Sequence, residues 1–165
     1  MRCRHCNTLT DQDKQIYMDF ADLIAQKSPC NRLKVGAVIV TENNTVFTGF
    51  NETPEGECEN EHGHTYPHVI HAEIDACAKI AQSHETTRSA RVFVTTAPCL
   101  NCASMLIKMG VSEVYYKNLY KNRDGLRLLE KHHVYVDQIN RDPEPESEKF
   151  DPMLITEKYF GPGVS

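Results

Sequence analysis

Apolar residues along this chain recur first at helical spacing and then in short runs, and the switches between the two predict an order of elements. Ile16, Phe20, Leu23 and Ile24 fall at helical spacing behind Thr10 or Asp11, either of which can cap a helix, and Pro29 ends the segment. Val35 to Val40 is a short apolar run bounded by turn residues. Asn43-Asn44 then reads as a tight turn into Val46 to Phe50, so the two runs form a hairpin. Residues 51 to 68 are rich in Glu, Gly, His and Pro, too polar for a regular element, and read as a long functional loop. Ile70, Ile74, Cys77, Ala78 and Ala81 restart the helical period from His71. A strand over 91–95 follows, then a helix from Cys99 carrying Leu106, Ile107 and Met109, a strand over 111–116, a helix over 124–131 and a strand over 134–136.

After the leading helix the order is β-β-α-β-α-β-α-β, and strands alternating with helices imply a sheet covered on both faces. The expectation is an α/β fold in three layers, with residues 1–140 forming one domain and residues 141–165 an acidic tail. In that tail Pro143 and Pro145 stand among Glu144, Glu146, Glu148 and Asp151, which reads as a loosely ordered linker. Met153 to Phe160 is apolar enough to dock on the core or on a neighbouring subunit. No internal repeat is visible.

Composition narrows the picture. A chain of 165 residues buries about two thirds of its unfolded surface in one domain, without help from disulfides. No apolar run reaches membrane-spanning length, and Met1-Arg2-Cys3-Arg4-His5-Cys6 lacks the apolar core of a signal peptide, so a cytoplasmic protein with no membrane partner is expected. Seven cysteines, an odd count, agree better with a reducing compartment than with a disulfide framework. The formal charge is -5, and no basic stripe of the kind that neutralises phosphates is present, which argues against a polynucleotide partner.

The candidate chemistry lies in His71-Ala72-Glu73 and Pro98-Cys99-Leu100-Asn101-Cys102. One His and two Cys are three zinc ligands, the count of a catalytic zinc that keeps a position open, whereas a structural zinc takes four. Cys99 and Cys102 share a helix face, with Pro98 suited to a helix start. The partial positive charge there favours thiolates. Two thiolates cancel most of the metal charge that would acidify a bound water, so a nearby base is valuable, and Glu73 can shuttle protons from water to a ring nitrogen and a leaving amine. This pairing is the signature of zinc nucleobase deaminases. A redox pair or half of a structural zinc site leaves both Pro98 and the His-x-Glu unexplained.

Over residues 10 to 137 the chain resembles the deoxycytidylate (dCMP) deaminases of the cytidine deaminase superfamily, in their phage and bacterial form. Besides the metal motifs, Cys30-Asn31-Arg32-Leu33-Lys34-Val35-Gly36 through Val40 is similar to that family's entry into its first strand. Gly49-Phe50-Asn51-Glu52-Thr53-Pro54 is similar to its Gly-aromatic-Asn-Gly-x-Pro loop, and Val114-Tyr115-Tyr116 through Tyr120 and Asp124-Gly125 to its last third. The resemblance implies a cytidine-deaminase-like fold with a five-stranded mixed sheet, catalytic zinc on His71, Cys99 and Cys102, and Glu73 as proton shuttle. It also implies Asn51 as a contact to sugar or base and a backbone N-H of Ala72 close to the base. The implied reaction converts dCMP to dUMP and ammonia, with attack of activated water at C4, and feeds thymidylate synthesis. The implied assembly is a homo-oligomer, commonly a hexamer, activated by dCTP with Mg2+ and inhibited by dTTP. Two departures, Glu52 for the usual Gly and Asp75 for the usual Asn after His-Ala-Glu-x, put extra acids near where nucleotide phosphates would lie and bear on that control.

For the phosphate itself Arg32, Lys34, Lys117, Lys121 and Arg123 are candidates, with Tyr120 as a surface that could pack on nucleotide; ordinary solvated bases are the alternative. The resemblance to phage enzymes also implies a second, structural zinc on Cys30, Cys58 and one or two of His62, His64 and His68. The alternative is a polar loop without metal, with His64 or His68 nearer the substrate. Cys3 and Cys6 form a further half-site or a frayed end. Rival functions are deamination of another nucleobase, in a free nucleoside or in tRNA adenosine, and a non-catalytic nucleotide-binding zinc module. Glu73 argues against the last.

Overall fold

The computed structural model describes residues 9–139; the half-site of Cys3 and Cys6 and the acidic tail from Arg141 lie outside the described residues. The elements are α1 (Asp11–Ala25), β1 (Gly36–Val40), β2 (Val46–Phe50), α2 (Ala72–Ala81), β3 (Arg91–Thr96), α3 (Leu100–Lys108), β4 (Glu113–Asn118), α4 (Asp124–Lys131) and β5 (Tyr135–Gln138). They follow the order that the apolar pattern predicts. One sheet carries them in the order β2-β1-β3-β4-β5, with β1 antiparallel to both neighbours and β3, β4 and β5 parallel. The mixed five-stranded sheet is therefore present.

Central strands β1 and β3 are buried along their whole length, as continuous apolar runs must be when both faces of a sheet are covered. On one face Met18 and Ala21 of α1 pack over Val38, Val40, Phe93 and Tyr115. On the other, Ile80, Leu106, Leu126 and Leu129 from α2, α3 and α4 share a larger core with Ile39, Val92, Val94 and Val114. Three layers result.

Helix α1 forms where its periodicity puts it, yet of its large apolar residues Met18 makes the core while Ile16, Phe20 and Leu23 do not. Ile16, Phe20 and Leu23 are 55%, 38% and 61% exposed, whereas Met18, Ala21 and Ala25 are buried. Sheet geometry explains the inversion. A Cβ on Gly36 would collide with the backbone of Ala21 and Ala25, so where α1 crosses the start of β1 only small residues fit. The same device seats α2: a Cβ on Gly49 would strike the Ala72 carbonyl and the Ala76 nitrogen. At its start α1 is closed by a capping box, in which Asp13 N-H donates to Thr10 Oγ1 at 3.1 Å and Thr10 N-H donates back to Asp13 Oδ2 at 3.1 Å.

Candidate active site

Two helix starts meet beside the carboxyl end of β3. After Thr96 the chain turns through Ala97 and Pro98, and Cys99 becomes the N-cap of α3 with extended backbone (φ -69, ψ 170). Its sulfur accepts from the Cys102 N-H at 3.5 Å, the place an N-cap oxygen usually takes, so the cap and the ligand are one atom. A Cβ on Gly125 would collide with the Pro98 carbonyl, which shows α4 pressed directly on this turn. His71 is the N-cap of α2 but makes no side-chain cap bond, which leaves its ring to turn toward α3.

His71 Nδ1 lies 3.6 Å from Cys99 Sγ and 3.3 Å from Cys102 Sγ, and the three donor atoms all fall within 4.8 Å of one another. Tetrahedral zinc bonded to one nitrogen and two sulfurs separates N from S by about 3.5 Å, so both nitrogen–sulfur distances suit that ion. Electrostatics agree. Hydrogen bonds from the Cys102 thiol and from His71 hold the Cys99 thiol down at about 3. Cys102 is pushed up by its bond to Cys99 and by burial, because two adjacent sulfurs without a cation share one proton. A divalent cation takes that proton's place and makes both thiolates. The His71 ring is raised above its ordinary value by its bond to Cys99.

Glu73, in the first turn of α2, is 3% exposed. Burial pushes its carboxyl up to about 7, against hydrogen bonds that lower it. A carboxyl poised there can both take and return a proton at neutral pH.

These groups open into a cavity of about 500 Å³. Its lining includes His71, Ala72, Glu73 and Cys99 together with Asn51, Arg32, Tyr120 and Lys121. Asn51 is tied down at both ends of its amide: Oδ1 accepts from the Val35 N-H at 2.7 Å and Nδ2 donates to the Leu33 carbonyl at 2.8 Å. Lys34 is not among the residues that line the cavity, and its Nζ donates to the Ser28 carbonyl at 2.6 Å. Lys117 makes a 2.8 Å ion pair with Asp22. Glu52 and Asp75 do not line the cavity either. Glu52 exchanges backbone hydrogen bonds with Ile70 and closes the base of the loop, and the Asp75 carboxylate accepts from Phe50 and Lys79.

Comparison with known proteins agrees with this geometry. Residues 11–118 match the family model described as the cytidine and deoxycytidylate deaminase zinc-binding region. The chain belongs to the cytidine and deoxycytidylate deaminase family. It is 32% identical over 136 residues to ComE operon protein 2 of Bacillus subtilis, covering 78% of this chain and 71% of that protein. It is 29% identical over 162 residues to the deoxycytidylate deaminase of Saccharomyces cerevisiae, covering 83% of this chain but only 51% of the yeast protein. The crystal structure of the dCMP deaminase from cyanophage S-TIM5 in complex with dCMP and dUMP superposes with a TM-score of 0.75 at 39% identity, covering 79% of this chain and 99% of that one.

The deaminase differs from expectation at the second cluster. Cys30 and Cys58 are joined in a disulfide, so each sulfur is committed to the other. Among the described residues His71, Cys99 and Cys102 are the one group of three or more His, Cys, Asp or Glu side chains with ligand atoms this close. His68 pairs with Glu55 at 3.3 Å, and the side chain of Asn60 holds the backbone N-H groups of His62 and His64. A second zinc site is not shown among the described residues. Glu59 and Asn118 are among the lining residues that escaped the sequence reading. Glu59 accepts from the backbone N-H groups of Asn31 and Arg32, each at 3.1 Å, and nothing local to it signals that role. Asn118 had a signal: it ends β4, and ligands gather at the carboxyl ends of parallel strands.

Proposed function

We propose that this deaminase hydrolyses dCMP to dUMP and ammonia in the cavity beside Glu73. The observation that carries the reading is the buried carboxyl of Glu73 next to a His-Cys-Cys donor set, in a cavity whose exposed side holds Arg32 and Lys121. Zinc, when bound by His71, Cys99 and Cys102, supplies a Lewis acid that makes water nucleophilic at neutral pH. Glu73 takes one proton from the attacking water and delivers it to N3 of the cytosine. The second water proton follows through Glu73 to the amino group, which leaves as ammonia. The backbone N-H of Ala72 holds the base, and the Asn51 amide hydrogen that Leu33 does not take serves sugar or base. Arg32 and Lys121 pair with the 5'-phosphate, and Tyr120 packs beside it. Assembly as a homo-oligomer, with a hexamer favoured, is part of the reading; the exposed Ile16, Phe20 and Leu23 of α1 support it.

The test is ammonia release from dCMP, deoxycytidine, dCTP and CMP. Two charge-assisted phosphate bonds predict a kcat/KM for dCMP at least about a hundredfold above that for deoxycytidine. Arg32→Ala should shrink that ratio while leaving deoxycytidine turnover unchanged. Equal use of both substrates by the unaltered enzyme would refute the phosphate site, and no ammonia from any cytosine compound would refute the reaction.

A further inference from the structure

An edge strand offers its outer N-H and C=O groups to whatever lies beside it, and natural sheets commonly cover them. Strand β2 is such an edge, since its ladder partner is β1 alone. Two side chains of α2 cover it. Asp75 Oδ2 accepts from the Phe50 N-H at 3.2 Å, and Lys79 Nζ donates to the Thr48 carbonyl at 2.8 Å. The two side chains are themselves joined, Lys79 Nζ to Asp75 Oδ2 at 2.8 Å. An ion pair four residues apart on an exposed helix is ordinarily worth little. This one differs because both partners reach across to backbone, and because the Asp75 side chain is only 14% exposed. Lys79 Nζ also stands 5.6 Å over the Phe50 ring, with Lys27 Nζ at 5.5 Å.

We propose that Asp75 and Lys79 act as a clamp that holds the end of β2 to the first turns of α2, and thereby positions Asn51 against Glu73. Asp75 is a positioning residue: it accepts the N-H directly before Asn51, and it sits two positions after Glu73. Gly49 brings the strand into contact with α2, the β1 ladder sets its register, and the clamp ties its outer edge to the helix. The zinc donors come from the helix starts and do not depend on it. The clamp therefore governs how substrate is held, with less effect on the chemical step.

This inference rests on the dCMP reading, so its test has one arm that needs no substrate. Hydrogen exchange at the Phe50 amide should speed up about tenfold in Asp75→Ala, the equivalent of one lost hydrogen bond, and return toward normal in Asp75→Asn, whose amide oxygen still accepts. The second arm is binding of dUMP and steady-state turnover of dCMP. Asp75→Ala should raise the dUMP Kd and the dCMP KM about tenfold, with kcat and zinc content kept and Asp75→Asn recovering most of the loss. Unchanged exchange and Kd in Asp75→Ala would overturn the clamp, as would Asp75→Asn behaving like Asp75→Ala, or a loss confined to kcat or zinc. Should Asp75→Ala not fold, Lys79→Met takes its place: a rise in Kd and in Thr48 to Asn51 exchange supports the clamp, and no rise overturns it. If the unaltered protein fails to bind dUMP the substrate reading falls, and exchange alone decides the clamp.

Discussion

On one side of the cavity His71, Glu73, Cys99 and Cys102 all hang from the first turn or cap of a helix packed on the sheet. Opposite them, residues 51–70 hold their place by two isolated bridges, the Glu59 carboxylate and one disulfide. Donor atoms must stay within tenths of an ångström of a metal's preferred distances, and side chains on regular elements supply that constancy. A wall that recognises a sugar tolerates more, and a polar loop with Asn51, joined by Arg32, Tyr120 and Lys121 from other loops, supplies its polar groups at lower cost in core volume. On the proposed reading, then, the chemistry lies with the helix starts, and recognition lies mostly outside them, with Ala72 the exception. Changes on one side should alter kcat, and changes on the other should alter substrate affinity.

The largest expected effect lies on the helix side. Glu73→Gln keeps the shape and removes the proton shuttle, so kcat should fall about 10²–10⁴-fold. Zinc content and dUMP affinity should stay at the level of the unaltered enzyme. Stopped-flow ammonia assays, metal analysis and calorimetry read the three quantities. A parallel loss of dUMP affinity would mean that the two sides are not separable.

The loop side is broken at its disulfide. Cys58→Ser frees a segment closed by a link between residues 28 apart, and removing a link of that span costs about 2–4 kcal/mol in thermal or denaturant unfolding. Residues 52–69 should exchange faster, and the dCMP KM should rise while kcat at saturation changes less than about twofold. The unaltered enzyme should carry one zinc per chain. Two zincs, one of them lost in Cys58→Ser, would show Cys30 and Cys58 holding metal in place of their bond, with a histidine of the loop completing the site.

Much of the helix side was legible in the sequence because its chemistry is spelled by neighbours: His71 stands two before Glu73, and Pro98, Cys99 and Cys102 crowd one turn. The order of elements was legible for the same reason, since each run carries its own period. What failed to show depends on contacts across the chain. The partner of Asp75 is Phe50, 25 residues earlier, and that of Lys34 is a backbone carbonyl. The buried face of α1 is set by Gly36, a residue outside the helix, so apolar periodicity alone pointed to Ile16, Phe20 and Leu23. The family resemblance put Cys30 beside Cys58 as ligands of a shared zinc, but their direct bond did not show, because spacing does not select pairs among seven cysteines.

The smallest effect should touch neither side, and it serves as the control for both. The capping box at the start of α1 joins Thr10 and Asp13, with Thr10 Oγ1 donating to Asp13 Oδ2 at 2.7 Å. Thr10→Ala removes it and should cost about 1 kcal/mol of stability at neutral pH. Zinc content, kcat and dCMP KM should be unaltered. The hydrogen bonds from Thr10 hold the Asp13 carboxyl below its ordinary range. A carboxyl whose folded value is depressed stabilises the fold above its unfolded value, and that contribution fades as pH falls through the folded one. The difference between Thr10→Ala and the unaltered protein should therefore narrow in acid. Denaturant melts at pH 7 and below pH 3 read this directly, and a difference that stays constant or widens in acid would show that the box does not act through the Asp13 charge.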